Sequence, residues 1–158
     1  MKLFKSQIEN QYYMAGLFEI ICLRLEQKGI DLNNVKRSDI SGVDELYIRG
    51  AEVYNELVNE IYLNDTRVLD VGCGLGGASR MLAERFNCKV TGIDIFEDYI
   101  VTAQKLSALV GLTEKTKFIH ADVLKLPFQE SSFDVVWTQH VQMNIEDKTD
   151  FILKYTGS

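Results

Sequence analysis

Residues 68–77 read VLDVGCGLGG, and no other stretch constrains the chain as tightly. A short apolar run enters four glycines, and a helical pattern, GASRMLAERF, follows at once. A strand that stops in a glycine-rich turn and opens a helix is the first half of a βαβ unit. Glycine lets a ligand come close to the turn backbone, and the helix start offers unpaired amides to it. A bare tight βα turn is the plain alternative, but four glycines in this context favour a ligand site.

The rest of the chain repeats the alternation. KVTGIDI is a second strand and EDYIVTAQKLSALVG a second helix closed by Gly111; KFIHAD is a third strand and FDVVWTQ a fourth. Strand–helix alternation predicts an α/β fold with a doubly wound parallel sheet and right-handed crossovers. The continuous apolar character of VVW predicts a strand covered on both faces. Upstream, residues 1–63 read as helical and residues 64–158 as the sheet domain. Ile8, Tyr12, Ala15, Phe18, Cys22 and Leu25 recur every three or four residues and predict one apolar stripe, with Gly29 as its stop. DLNNVKRSDISG reads as a connector. VDELYIRGAEVYNELVNEIYL reads as a second helix starting near Ser41 or Asp44, with Ile48, Ala51, Tyr54, Leu57, Val58 and Ile61 buried.

Gly72, Gly74 and Gly77 satisfy G-x-G-x-x-G after a strand and before a helix, a pattern that suits a nucleotide-like ligand without choosing it. Asp70, two residues before Gly72, favours one choice. A carboxylate at the mouth of the site would repel a pyrophosphate and attract a cation. S-adenosylmethionine (SAM), with a sulfonium and an ammonium, fits; a nicotinamide dinucleotide does not. Opposite charges at close range are worth about 4 kcal/mol at an effective dielectric of about 20. Capping the turn amides is a plainer role for Asp70, compatible with the first. Asp94, at the end of TGIDI, has the spacing of an acid that accepts from ribose hydroxyls. Asp122 follows the third strand, where its carboxylate can accept from an adenine amino group and the Val123 amide can donate to a ring nitrogen. Asp122 alone reads as well as a turn aspartate, while the spacing of Asp94 from the glycines favours ribose binding over a plain helix cap; three acids at successive strand ends are far more specific than any one.

Composition narrows the partners. The net charge of -6 over 158 residues argues against a nucleic-acid footprint or an anionic membrane surface. Cys22, Cys73 and Cys88 form no C-x-x-C pair, so three reduced thiols in a cytoplasmic protein are expected, with no metal. MKLFKSQIENQYY lacks the apolar core of a signal peptide.

VLDVGCGLGG, GIDI, ADVLKLPF and FDVVWTQHVQMNI stand in the order and spacing of a class I SAM-dependent methyltransferase, a resemblance covering residues 66–146. DELYIRGAEVYNEL and TQHVQMNIEDK further resemble the branch that methylates glycine, sarcosine and dimethylglycine. The resemblance implies a Rossmann-like sheet of order 3-2-1-4 with N-terminal helices. It places Gly72, Gly74 and Gly76 along the methionine moiety, Asp70 near its amino end, Asp94 on the ribose, and Asp122 with Val123 on the adenine. Ile95 would cover one adenine face, while Gln139 and His140 would lie near the transferable methyl and a small-molecule acceptor. It implies in-line displacement at the methyl carbon. His140 can serve as base for an amine acceptor, and Tyr12, Tyr13 and Tyr47 can cage its cationic form, although polar lining and core packing are the plainer roles.

The family fold has seven strands, and here the pattern ends after the fourth. The sequence therefore resembles the N-terminal portion of a longer methyltransferase or an unusually short relative. Either way, FDVVWT would form an exposed sheet edge, with homodimerisation through it as one expectation. A non-catalytic SAM-binding module is the competing function, and a nicotinamide-dependent oxidoreductase a weaker one.

Overall fold

The apolar run before the glycines forms β1 (Arg67–Val71), buried from Val68 to Val71. The computed structural model describes residues 16–44, 58, 61–126, 128–129, 131–139 and 149. Three further strands, β2 (Lys89–Asp94), β3 (Thr116–His120) and β4 (Val135–Thr138), join β1 in a sheet of order β3-β2-β1-β4. Every neighbouring pair is parallel. The expected Rossmann-like α/β architecture is present.

Register aligns the strand ends. Val71 pairs with Ile93 on one side and with Thr138 on the other, and Asp94 pairs with His120. The turns after all four strands therefore leave from one edge, where parallel α/β sheets gather ligands. At the opposite edge, Arg67 grips Asp134 through its backbone amide at 2.8 Å and its guanidinium at 2.8 and 3.1 Å. This pins the start of β4 to β1, and the arginine holds the Asp134 carboxyl down to about 2.

Two helices cover one face. In α3 (Gly77–Phe86), labelled after the N-terminal helices described below, Met81, Leu82 and Ala83 pack on Val68, Val90 and Trp137. In α4 (Glu97–Leu109), Ile100 and Ala103 pack on Phe118 and Cys73. Gly111 ends α4 as expected: its amide reaches the Ala108 carbonyl, and the Leu112 amide reaches that of Ser107. On the other face, Leu69, Val71 and Ile93 lie beneath Val123, Leu126, Phe128 and Phe133 of the β3–β4 connection. Val136, however, is 38% exposed, so β4 is not covered on both faces as its apolar run suggested. Its side chain alternates away from Trp137, which is buried against the α3 side.

The N-terminal helices pack on α4. α1 (Leu17–Gln27) buries Ile21 and Leu25 in a cluster with Val35, Ile40 and Leu106. Each such side chain contributes about 1.5–3 kcal/mol. Phe18 and Cys22 are only half-buried, and Ile8, Tyr12 and Ala15 lie outside the described residues. The stretch read as a connector holds a 3-10 turn (Leu32–Asn34) and α2 (Arg37–Asp44). Its polar composition hid a local cap: the Lys36 amide donates to Asp39 Oδ2 at 2.8 Å, and the Asp39 amide to the Lys36 carbonyl at 3.0 Å. Of the second expected helix, Val58 is helical and buried, whereas Ile61 lies beyond a helix and is 41% exposed. Ile48, Ala51, Tyr54 and Leu57 lie outside the described residues. No helix among the described residues is long and apolar enough to cross a membrane.

Candidate functional site

The β1–α3 turn is built against β2. The amides of Gly72 and Cys73 both donate to the Ile93 carbonyl, at 2.8 and 3.0 Å, so the chain leaves β1 while still held to its neighbour. Asp94 then reaches back: its Oδ2 accepts the Gly74 amide at 2.9 Å, and its Oδ1 the Phe96 amide at 3.0 Å. The twenty-residue spacing of the sequence has become a direct contact between turn and acid. Gly74 has φ 53°, and a Cβ there would meet nothing within 4 Å. The turn therefore has open space above its middle glycine, a cradle that a side chain would fill. Gly72 also adopts positive φ, at 70°.

Gly76 serves a different end. A Cβ on it would lie 2.6 Å from the Phe118 ring and 3.0 Å from Arg80 Nη1. Its missing side chain makes room for core packing, a constraint that stands beside the place along the methionine moiety that the resemblance implies. Gly77, the last glycine of the motif, is the first residue of α3 and is buried.

Asp70 is not at the mouth of the site. It is 2% exposed, beneath the turn. Its Oδ2 accepts the Ser79 hydroxyl at 2.6 Å, and the carboxylate also takes the Ser79 amide. It thus fills the capping role the sequence allowed, tying the first turn of α3 to β1. Burial pushes its carboxyl up to about 6; the Ser79 bonds and the nearby Arg80 cation act the other way, and Asp94 adds to the rise. At pH 7 a group with that value remains about nine-tenths ionised. The negative charge persists, but below the turn backbone. Asp94, 7% exposed, is also raised by burial, against the pull of the amides it accepts.

Beyond Asp94 the site opens. Ile95 is 37% exposed, a large apolar side chain at the end of β2. The Ala121 amide donates to the Asp94 carbonyl at 3.0 Å, which brings the segment after β3 beside it. There Asp122 Oδ1 accepts the Leu124 amide at 2.9 Å, and the Lys125 amide closes the turn on the Asp122 carbonyl at 2.8 Å. Asp122 therefore shapes its own turn, with Val123 packed into the core below and Leu124 40% exposed. Gln139 follows β4, half-buried. His140, Tyr12, Tyr13 and Tyr47 lie outside the described residues.

Four contributors were not singled out from sequence: Ser79, Arg80, Leu124 and Thr138. The Thr138 hydroxyl, opposite Val71 at the carboxyl edge, is buried without a hydrogen-bond partner among the described residues. Arg80 carried a legible signal, a cation on the small-residue face of α3 with Gly77 and Ala83, three residues to either side.

Comparison with known proteins agrees with this geometry. A family described as methyltransferase domain matches residues 68–154. Tocopherol O-methyltransferase, chloroplastic, from Arabidopsis thaliana is 38% identical over 86 residues, covering 54% of this chain and 25% of that protein. Ajmaline N-methyltransferase from Rauvolfia serpentina is 36% identical over 85 residues, covering 54% of this chain and 29% of that one. The chain thus spans about a quarter of the length of these two relatives. Among solved structures, a putative sarcosine dimethylglycine methyltransferase from Galdieria sulphuraria superposes with a TM-score of 0.62 at 21% identity, over 83% of this chain and 52% of that one. The glycine turn, the acid that grips it and the parallel sheet beneath all lie in the matched region or beside it, and the chain belongs to the methyltransferase domain family.

Proposed function

We propose that this chain binds S-adenosylmethionine over the β1–α3 turn and takes part in transferring its methyl group to a small-molecule acceptor. The observation that carries the reading is the Gly74–Asp94 contact at 2.9 Å beneath open space. Two features of the carboxyl edge fit the cofactor. Gly74 leaves a backbone cradle on its outer side. Ile95 presents an apolar surface next to a carboxylate, as an adenosine needs.

Gly72 and Gly74 would flank the methionine moiety, Asp94 would accept from the ribose, and Asp122 with Val123 and Ile95 would hold the adenine. The Asp94 carboxylate already takes the amides of Gly74, Phe96 and Ile95, and with about four lone-pair sites it has capacity for a further donor. Asp70 supplies fixed negative charge below the turn, which suits a cationic ligand and disfavours a pyrophosphate. When bound, the cofactor supplies an electrophilic methyl on a positively charged sulfur. The chain's part is then to hold, orient and keep water away; Gln139, just after β4, would meet an acceptor.

For the acceptor, a small amine such as sarcosine or dimethylglycine comes first. The stretches DELYIRGAEVYNEL and TQHVQMNIEDK support that choice, and one relative is itself an N-methyltransferase. Transfer of radiolabel from methyl-labelled SAM to a panel of amines, phenols and sterols tests it. Label in an amine supports the amine reading, and label only in a phenol or sterol rejects it. Binding of SAM with no label in any acceptor class would mark the chain as a cofactor-binding module.

A further inference from the structure

We propose that Arg80 is a positioning residue for the cofactor turn, holding the glycines in their ligand-ready shape and setting the charge balance beneath them. This inference rests on the SAM reading above. Arg80 is fully buried. Its guanidinium donates to the Leu75 carbonyl, between Gly74 and Gly76, and across to α4, where it meets the Ala103 carbonyl at 3.1 Å and Ser107 Oγ at 3.4 Å. One side chain thus ties the turn to a helix that sequence places more than twenty residues away. A leucine or methionine would fill much of the volume without the desolvation cost of a buried cation. Neither could make this three-point tie, which a planar guanidinium makes with several donors at once.

The charge has its own consequence. The groups facing Asp70 are Asp94 from β2, Arg80 and Ser79 from α3, and the Cys73 thiol from the turn; β4 brings Trp137 as register partner, which does not ionise. Arg80 is the cation in that set and favours the ionised form of Asp70. Burial, which raises the Asp70 carboxyl, dominates there, and Arg80 pulls weakly against it while fixing the backbone above.

The two roles separate by substitution. Arg80→Lys keeps the charge and loses the fork; Arg80→Met loses both. SAM affinity would be measured by calorimetry from pH 5.5 to 8.5 on the full chain, with urea midpoints confirming that each variant folds. Expected at pH 7.5 is a loss of about tenfold or more in both variants. The acid limb of binding moves up in the methionine variant and stays in place in the lysine variant. A merely structural arginine would lower the urea midpoint without moving the limb. Hydrogen exchange at the Gly74 and Gly76 amides of the ligand-free chain reads the geometry without cofactor, and about tenfold faster exchange is expected in Arg80→Lys. Unchanged exchange together with wild-type affinity and pH profile would overturn the proposal. Failure of the unaltered chain to bind SAM would instead reject the cofactor reading, and the exchange experiment would still decide the role of Arg80 in shaping the turn.

Discussion

Replacing Asp70 with asparagine should make the protein more stable and a poorer binder. The carboxyl ordinarily titrates at 3.8 and is pushed up to about 6 by burial. A group raised on folding stabilises the fold fully below its unfolded value, and that contribution is lost as pH climbs through the folded one. Wild-type stability should therefore carry a component that falls between about pH 4 and pH 6.5. The gap between 3.8 and about 6, at about 1.4 kcal/mol per pH unit, is worth about 3 kcal/mol. The asparagine side chain keeps an acceptor for Ser79 but brings an amide that needs a partner of its own, a cost that is the same at every pH. We expect the advantage of the Asp70→Asn variant over wild type to grow by about 2–3 kcal/mol from pH 4 to pH 7.5. Urea unfolding of both proteins across pH 4–7.5 measures the difference, in which contributions common to both, such as that of Asp94, largely drop out. SAM affinity of the variant should fall by about tenfold, the loss of about one modest charge interaction. A stability difference that stays constant across the pH range would refute the reasoning, because the cost of ionising a buried Asp70 would then be absent.

Two glycines of the turn should respond differently. Gly76→Ala should cost about 2–4 kcal/mol in urea unfolding, because its Cβ would meet the Phe118 ring at 2.6 Å at a φ of 78°. Gly74→Ala should cost only about 1 kcal/mol and instead weaken SAM binding, since its methyl would enter open space; a normal affinity would place the ligand elsewhere. Thr138→Val removes a buried hydroxyl that has no partner among the described residues, so unfolding should show a neutral or stabilising change; a loss above about 1 kcal/mol would show that the hydroxyl is satisfied. β4 is one of the two outer strands among the described residues, and we propose that a second copy can pair along it. Sedimentation at micromolar concentration should then show dimer, and compact monomer alone would count against it.

The parts that sequence made legible are those encoded by local chemistry. Strand, turn and helix around Gly72–Gly77 follow from apolar runs and glycine spacing, whereas the spacing that marked Asp94 as a ribose acceptor did not reveal that its Oδ2 also takes the Gly74 amide. The less legible parts depend on which neighbour folds back. Asp70 sits at a strand end in the sequence, but Ser79 returning from α3 buries it. Gly76 resembles its neighbours until Phe118 of β3 is seen to occupy its side-chain space. α2 was hidden because few apolar positions mark so short a helix, while Lys36 and Asp39 fix its start by hydrogen bonds that composition does not reveal. Val136 belongs to an apolar run yet stays partly exposed, since a run of that length gives no sign of whether both faces will be covered.

The central claim is that the carboxyl edge around Gly74 and Asp94 is a seat for a sulfonium nucleoside. Parallel calorimetric titrations of the chain with SAM and with NAD at pH 7.5 test it most directly. The account predicts saturable binding of SAM, lost on Asp94→Ala, and no binding of NAD. Saturable binding of NAD with no response to SAM would contradict it.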